Sequence, residues 1–276
     1  GLEIFQGQQF RGYPPQQGNN KDEQACQQNY FGSGHGARCC YVWFMILILQ
    51  AEISFARMSR IVGIFINTPG LRYILALMII YFVRHGQTDW NKAFRWQADS
   101  DIALNATGRE QAGAVRQWFL DQGLQPSAVV SSPRQRARVT AEHIASAYGQ
   151  KVLIEPAFRE LSLGDFEGKT TTDLEQEYGQ VFTEWLDAFH LIAAPGGENL
   201  DQGIERMYPA LRAHIAKHGD GLTVVAHQAI LMAMKSALSG DQDRSALSAY
   251  KQANYEIDVW DVERACIQRR VDIRGD

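Results

Sequence analysis

After residue 78, short continuous apolar runs alternate along the chain with stretches in which apolar residues recur every three or four positions. Ile79–Val83, Ala128–Val130 and Leu222–Ala226 are short and rich in β-branched residues, as is typical of strands buried on both faces. Residues 107–123 and 200–218 instead place their apolar side chains on one helical face. Strands that alternate with helices predict a mostly parallel sheet between helical layers. The predicted fold class is therefore α/β, a three-layer α/β/α sandwich.

Capping signals and glycines predict where the helices begin and end. Thr107 and Glu110 match a capping box, and Thr172 and Glu175 match a second one that opens a helix running toward His190. The remaining predicted elements are a helix over 134–148, a short strand Val152–Ile154, a helix after residue 226, and two closing strands, Glu256–Trp260 and Ala265–Val271.

The first 77 residues follow neither pattern. Residues 1–40 are rich in glutamine and show no amphipathic period, which is typical of disorder. The apolar run Tyr41–Leu49 is nine residues long, too short to span a bilayer. We expect residues 1–77 to be a non-native or disordered, hydrophobic leader and residues 78–276 to form one domain. A membrane tether within residues 41–72 is the alternative.

Composition narrows the class of protein. The chain has 276 residues, of which 45% are hydrophobic, and a formal net charge of −4, so we expect neither nucleic acid nor a membrane as a partner. Its cysteines are Cys26, Cys39, Cys40 and Cys266, without a C-x-x-C pair, so no structural metal site is expected. Their sparse use is typical of a reducing compartment, and we expect a cytoplasmic protein.

Charged and polar residues stand at the ends of the predicted strands. Arg84 and His85 directly follow the first strand, a segment containing Arg136 follows the second, and His227 follows Leu222–Ala226. Ligands of such sheets bind at the carboxyl ends of the strands, so these residues should share one crevice. Glu160, in a loop after the third strand, is the candidate carboxylate for proton transfer.

Four segments resemble motifs of one family, the histidine phosphatase superfamily of phosphoglycerate mutase-like proteins. RHGQTDWN, at residues 84–91, resembles its R-H-G-x-T-x-x-N signature. SSPRQRARVTAE at 131–142 is similar to S-S-P-x-x-R-A-x-x-T-A, RELSLGDFEG at 159–168 to E-x-x-x-G-x-x-E-G, and VVAHQA at 224–229 to the second histidine segment. The motifs occur in family order between about residues 78 and 260.

The resemblance implies a phosphomonoester hydrolase that needs no metal or cofactor and acts through a phosphohistidine intermediate on a small phosphorylated substrate. It implies His85 as the nucleophile and Glu160 as the acid and then the base. A dianionic phosphoryl group needs fixed cationic donors, and Arg84, Arg136 and His227 are implied in that role. The residues expected to bind substrate are Arg84, Gly86, Thr88, Asn91, Gln97, Arg136 and Gln228.

Some positions depart from the family pattern. The second histidine is usually followed by two glycines, but here by Gln228 and Ala229, and Ala98 stands where glycine is common. Glu167 and Glu198 are open candidates, either for a second acid at the pocket rim or, for Glu198, for a helix cap.

Three functions remain in view. Only 23 residues lie between Arg136 and Glu160, which leaves little room for a lid and favours a phosphatase over a phosphoglycerate mutase-type phosphoryl transfer. Residues 95–108 match the pattern RWQ-x-x-SD-x-x-L-x-x-x-G, and short members with it resemble broad-specificity phosphatases and the phosphatase that acts on α-ribazole phosphate. A phospho-ligand binding module without catalysis is the third possibility.

Overall fold

One six-stranded sheet organises the part of the chain that the computed structural model describes, residues 78–241 and 247–274. The strands are β1 (Ile79–Arg84), β2 (Ala128–Ser131), β3 (Leu153–Ile154), β4 (Leu222–Ala226), β5 (Glu256–Asp261) and β6 (Cys266–Asp272). Their order is β3-β2-β4-β1-β5-β6. β3, β2, β4 and β1 are parallel to one another, whereas β5 and β6 join antiparallel. The predicted mostly parallel sheet is confirmed.

Helices cover the sheet on both faces. They are α1 (Asp89–Lys92), α2 (Ala106–Asp121), α3 (Gln135–Ser146), α4 (Thr171–Tyr178), α5 (Gln180–Ala188), α6 (Leu200–His218) and α7 (Gln228–Ser239). Short 3₁₀ turns lie at Pro156–Phe158, Gly164–Phe166 and Leu247–Tyr250.

The alternation of side chains along β1 shows why the protein has three layers. Ile80 and Phe82 point to one face, where they pack in a core with residues of α6 and α7 such as Met207. Tyr81 and Val83 point to the other face, against residues of α2 and α3 such as Phe119. Fully burying a side chain of this size contributes about 1.5–3 kcal/mol. β1 is therefore fixed from both sides, and the α/β/α sandwich is confirmed.

A smaller aromatic cluster lies beside α4 and α5, outside the two main cores. Trp96, Phe166, Phe182 and Trp185 form its centre, with ring centroids 5.2 Å apart for Trp96 and Trp185 and 5.4 Å apart for Phe166 and Trp185. Edge-on packing of such rings adds to the free energy of burying their area. The cluster ties the loops after β1 and β3 to the two short helices.

Two predicted capping boxes were displaced along the sequence. α2 begins at Ala106, and its cap is Asn105, whose side chain accepts from the Gly108 amide. The box of α4 is formed by Thr170 and Asp173, two residues before the predicted pair. In both cases a polar side chain two residues earlier in the chain caps the helix and accepts a hydrogen bond from an amide of the first turn. The helix predicted to run to His190 is interrupted at Gly179, which has a φ of 48°.

The predicted leader, residues 1–77, and the alternative tether within 41–72 lie outside the described residues. Among the residues that are described, no helix is both long and apolar enough to cross a membrane.

Candidate active site

The end of β1 carries two adjacent side chains into the interior of the site. Arg84 is the last residue of the strand, and the His85 amide still donates to the Ala226 carbonyl of β4 at 3.0 Å. Arg84 and His85 are buried, 5% and 3% exposed. Because the strand is held by two neighbours and two cores, it mounts both side chains rigidly.

Hydrogen bonding defines the tautomer of His85. Its Nδ1 lies 2.7 Å from the Gly86 carbonyl, which can only accept, so Nδ1 carries the proton and Nε2 carries the lone pair. Burial, followed by the positive charges of Arg136 and Arg84, holds the pKa of His85 well below its usual range. The imidazole is therefore neutral at physiological pH, with its unprotonated nitrogen available.

The second histidine has the opposite tautomer. His227 Nδ1 accepts from Arg136 Nε at 3.2 Å, so Nε2 bears the proton and donates to the Ser132 hydroxyl at 2.7 Å. Burial, and next the charge of Arg136, lowers the pKa of His227 well below its usual range. Its ring centroid is 5.1 Å from that of His85.

The two arginines differ in how fully they are bound. Arg84 donates from Nη1 to the Gln252 carbonyl at 2.9 Å, and its buried Nε has no partner among the described residues. Arg136 donates from Nη1 to the Ser100 carbonyl at 2.7 Å and from Nη2 to the Ala98 carbonyl at 2.8 Å. Burial lowers the pKa of each guanidinium to about 10, so both remain cationic at neutral pH.

The Glu160 carboxylate lies at the N-terminus of α7. Oε1 accepts from the amides of Leu161 and Ile230 at 3.0 and 2.9 Å, and Oε2 accepts from the Ala229 amide at 3.0 Å. Burial raises the pKa of Glu160, while the three amide bonds and the charge of Arg136 act in the opposite direction. A proton on this group would reside on Oε2, which has one amide partner rather than two.

A pocket opens beside these groups. It is lined by Arg84, His85, Asn91, Arg95, Trp96, Gln97, Glu160, Leu161, Leu163, Trp185, Phe189, Glu198, Gln228 and Ala229. Arg136 and His227 lie behind this wall, 0% and 1% exposed. The structure thus brings all five predicted catalytic residues to one end of the sheet, three of them at the pocket surface.

The predicted substrate-binding residues fall into two groups. Gln97 and Gln228 line the pocket, and Gln97 Nε2 and Gln228 Oε1 have no hydrogen-bond partner within the described segments. Asn91 also lines it, but its Oδ1 accepts from the Thr88 amide. Thr88 caps α1, and its hydroxyl donates to Gln97 Oε1 at 3.0 Å. Thr88 therefore orients Gln97 from behind the pocket.

The glycine after His85 meets another glycine. A Cβ added to Gly86 would lie 2.3 Å from the Gly108 carbonyl oxygen. Gly86 was expected to bind substrate, whereas the close contact that its missing side chain allows in the structure is with the first turn of α2. Ala98, where the family often has glycine, is buried in the aromatic cluster and leaves the pocket wall unchanged.

Three further groups support the site, two of which, Glu167 and Glu198, were open candidates for a second acid. Glu167 accepts from the amides of Ala98 and Ser100, which binds the same loop as Arg136. Glu198 pairs with Arg159 at 2.6 Å and with Arg206 at 3.0 Å; the α6 cap is Asn199 instead. The third is Gln252, whose carbonyl accepts from Arg84 and whose Nε2 donates to the Phe82 carbonyl of β1 at 2.7 Å. Glu167 was visible in the third motif as its second acid, but nothing in the sequence marked Gln252.

No group of three or more histidine, cysteine, aspartate or glutamate side chains that could hold a metal ion is found among residues 78–241 and 247–274.

Comparison with known proteins identifies the family and the fold. The family described as the histidine phosphatase superfamily (branch 1) matches residues 80–269. A probable phosphoglycerate mutase GpmB of Serratia proteamaculans is 32% identical over 197 residues, which cover 71% of this chain and 85% of that protein. A mycobacterial glucosyl-3-phosphoglycerate phosphatase, solved with VO3, superposes with a TM-score of 0.60 at 27% identity, covering 66% of this chain and 92% of the other. A putative α-ribazole-5′-P phosphatase of Escherichia coli, at 23% identity, has the same fold, with a TM-score of 0.62 over 72% of this chain and 98% of its own.

Proposed function

This chain belongs to the histidine phosphatase superfamily, and from that premise we propose that it hydrolyses small phosphomonoesters through a phosphohistidine intermediate. The observation that carries the proposal is the state of His85: a neutral ring whose Nδ1–H is bound to the Gly86 carbonyl and whose unprotonated Nε2 is left for attack, in a pocket shared with Arg84 and Glu160.

Substrate binding depends on fixed positive charge. The phosphoryl oxygens would accept from Arg84, whose Nε has no partner in the described part of the chain, and from Gln97 Nε2. Arg136, behind the wall, adds a second guanidinium that remains charged at neutral pH. Since these donors are held in place before the reaction, they can stabilise the charge of the transition state without reorganising. No metal ion is required for that part of the chemistry.

In the first step, His85 Nε2 attacks phosphorus and the bond between phosphorus and the ester oxygen breaks. The departing oxygen takes a proton from Glu160 Oε2, so the alcohol leaves neutral. The phosphorylated ring keeps its proton on Nδ1, which still donates to the Gly86 carbonyl. In the second step, the Glu160 carboxylate takes a proton from a water molecule, whose oxygen attacks phosphorus. The bond between phosphorus and Nε2 breaks and its electron pair returns to Nε2, so inorganic phosphate leaves and neutral His85 and protonated Glu160 are regenerated.

Hydrolysis is favoured over a mutase reaction by the mostly apolar side chains that line the pocket away from His85. These are Leu161, Leu163, Trp96, Trp185 and Phe189; Arg95 also lines the pocket, but its Nη1 already donates to the Gly168 carbonyl at 2.6 Å. A mutase reaction is the second candidate, since the curated relatives are named probable phosphoglycerate mutases. Isomerisation of 3-phosphoglycerate, measured with and without the bisphosphate, separates the two; efficient isomerisation would favour the mutase.

The test of the main proposal is a covalent adduct. The wild-type protein, mixed with a radiolabelled aryl phosphate in excess chelator and quenched in alkali, should retain phosphate in a bond that is stable to base and labile to acid. His85→Ala should abolish both adduct and turnover, because His85 alone presents a free ring nitrogen to the pocket wall in the described structure. His143→Ala, on α3, is the matched control and should behave as the wild type. Tight binding with neither adduct nor turnover would support the binding module instead.

A further inference from the structure

The loop that follows Gln97 is held from two sides by opposite charges. On one side, the Glu167 carboxylate accepts from the Ala98 amide, at 3.1 Å from Oε1 and 2.9 Å from Oε2, and from the Ser100 amide, at 3.0 Å from Oε1. In the described structure the Glu167 carboxylate therefore accepts only from backbone amides, those of Ala98 and Ser100.

The opposite side of the same loop binds a catalytic candidate. Arg136 Nη2 donates to the Ala98 carbonyl at 2.8 Å, and Nη1 donates to the Ser100 carbonyl at 2.7 Å. The Ala98 and Ser100 amides and carbonyls belong to four successive peptide groups, so Glu167 and Arg136 hold alternate peptide groups of one short segment through charge-assisted hydrogen bonds.

The orientation of the Arg136 guanidinium decides where its Nε points. With both Nη atoms on loop carbonyls, Nε donates to His227 Nδ1 at 3.2 Å, and that bond fixes the proton of His227 on Nε2. A guanidinium is planar, so displacement of the two carbonyls would turn Nε away from the imidazole. The state of His227 thus depends on the position of residues 98–100.

We propose that Glu167 is a positioning residue, which holds the loop so that its carbonyls seat Arg136 and thereby set the tautomer of His227. Its kinetic consequence rests on the proposed phosphatase function, whereas its structural consequence does not. Glu167 is not one of the pocket-lining residues, and its oxygens face backbone amides, so a role as a second acid at the substrate does not fit.

The decisive variant is Glu167→Gln. One carboxylate oxygen becomes an NH₂ group that must face a backbone amide, donor against donor, so at least one of the loop bonds is lost. Displacing a catalytic group by about 1 Å can cost about 100-fold in rate, and we expect kcat for an aryl phosphate to fall by about 10-fold to 100-fold with a small change in KM. Glu167→Asp keeps the charge and should recover part of the loss. Glu175→Gln, an exposed acid on α4, is the matched control and should leave kcat unchanged.

A measurement without turnover separates this proposal from the proposed function. In the wild-type protein, nitrogen-15 NMR of the histidine rings should show His227 as a single tautomer protonated on Nε2. Glu167→Gln should mix in the other tautomer, and the Glu175→Gln spectrum should match the wild type. If the protein proved inactive on every phosphomonoester but the His227 signal changed as described, the positioning role would stand while the phosphatase proposal fell.

A double-mutant cycle tests whether Glu167 acts through Arg136. Arg136→Lys cannot bind two carbonyls and His227 together, so adding Glu167→Gln to it should cost far less than the same change costs alone. Additive losses, or an unchanged His227 tautomer in Glu167→Gln, would overturn the proposal. If Glu167→Gln fails to fold, Glu167→Asp carries the same three measurements.

Discussion

Gly86 and Gly108 lie back to back between the loop that follows His85 and the first turn of α2. A Cβ on Gly86 would come 2.3 Å from the Gly108 carbonyl oxygen, and a Cβ on Gly108 would come 2.0 Å from the Gln87 carbonyl oxygen. No ordinary contact is that short, so the loop that carries His85 can reach its position only because neither residue has a side chain.

Gly108→Ala should therefore destabilise the protein and disturb the site together. We expect a loss of about 1–3 kcal/mol in the free energy of unfolding, as for other overpacked sites, and a marked loss of activity as the residues around Gln87 shift. Gly113→Ala lies in the same helix, where an added Cβ meets nothing within 4 Å, and should stabilise by about 0.5–1 kcal/mol. Urea unfolding of the two variants measures the difference. Equal changes in unfolding free energy for Gly108→Ala and Gly113→Ala would show that the backbone around Gly108 moves to accommodate the added Cβ at little cost.

The sequence alone was sufficient for the sheet because the strands are buried on both faces. Apart from Thr223, Ile79–Val83 and Leu222–Ala226 have no polar residue on either face. They could therefore be predicted as strands without knowing which helices pack against them. The ends of the same strands then located Arg84 and His227. The first residues of the helices were harder to predict than the strands. Several polar residues near the start of α2 could cap it, and only the structure shows that Asn105 does.

Contacts between distant segments were beyond the reach of sequence reasoning. The two Nη atoms of Arg136 bind carbonyls 36 and 38 residues away, and a carbonyl has no sequence signal because every residue has one. The same holds for Gln252, whose backbone oxygen binds Arg84. The motifs indicated which side chains matter, but their orientation depends on backbone groups that only the three-dimensional structure reveals.

The leaving group should decide how much Glu160 matters. If Glu160 gives its proton to the departing oxygen, Glu160→Gln should lower kcat/KM, which reports the first step and not the hydrolysis shared by both substrates, by about 10²-fold to 10⁴-fold for phenyl phosphate. The loss for p-nitrophenyl phosphate should be far smaller, because nitrophenolate leaves without a proton. Since burial raises the pKa of Glu160, wild-type kcat/KM for phenyl phosphate should fall as pH rises through that pKa and the acid is lost. Glu205→Gln, an exposed acid of α6, should leave both substrates unaffected. Equal losses for the two substrates would argue against the acid role.

Stability should fall as the pH drops below about 6.5, the usual histidine pKa. His85 and His227 have folded-state pKa values well below the usual range because they are buried, so the unfolded chain takes up protons that the native protein cannot. Each such proton costs about 1.4 kcal/mol per pH unit. Glu160 offsets part of this, because its raised pKa lets the native form bind a proton first. His85→Asn should reduce the slope of unfolding free energy between pH 6.5 and pH 5.5, measured by urea unfolding. A slope equal to the wild type's would contradict the buried neutral state of His85.

The buried pair of Lys235 and Asp258 should respond unequally to removal of its two partners. Both side chains are 0% exposed, and burial lowers the pKa of Lys235 to about 8. Asp258 has a second cation, Arg270, whose Nε lies 2.6 Å from Oδ1. Lys235 also donates to Gln252 Oε1 at 3.2 Å, and the Gln252 carbonyl binds Arg84.

Asp258→Asn would leave the buried Lys235 ammonium beside Arg270 without its hydrogen-bonded carboxylate, with only the Glu256 carboxylate, 3.9 Å from Arg270 Nε, nearby. We expect the change to cost about 3–5 kcal/mol. Lys235→Met leaves Asp258 paired with Arg270 and should cost clearly less. Because Gln252 connects this pair to Arg84, Asp258→Asn should also raise KM for an aryl phosphate under conditions in which the variant is fully folded. Urea unfolding and steady-state kinetics of the two variants provide the comparison. If Lys235→Met were the more damaging change, the lysine would be the essential member, and its contact with Gln252 would outweigh its charge.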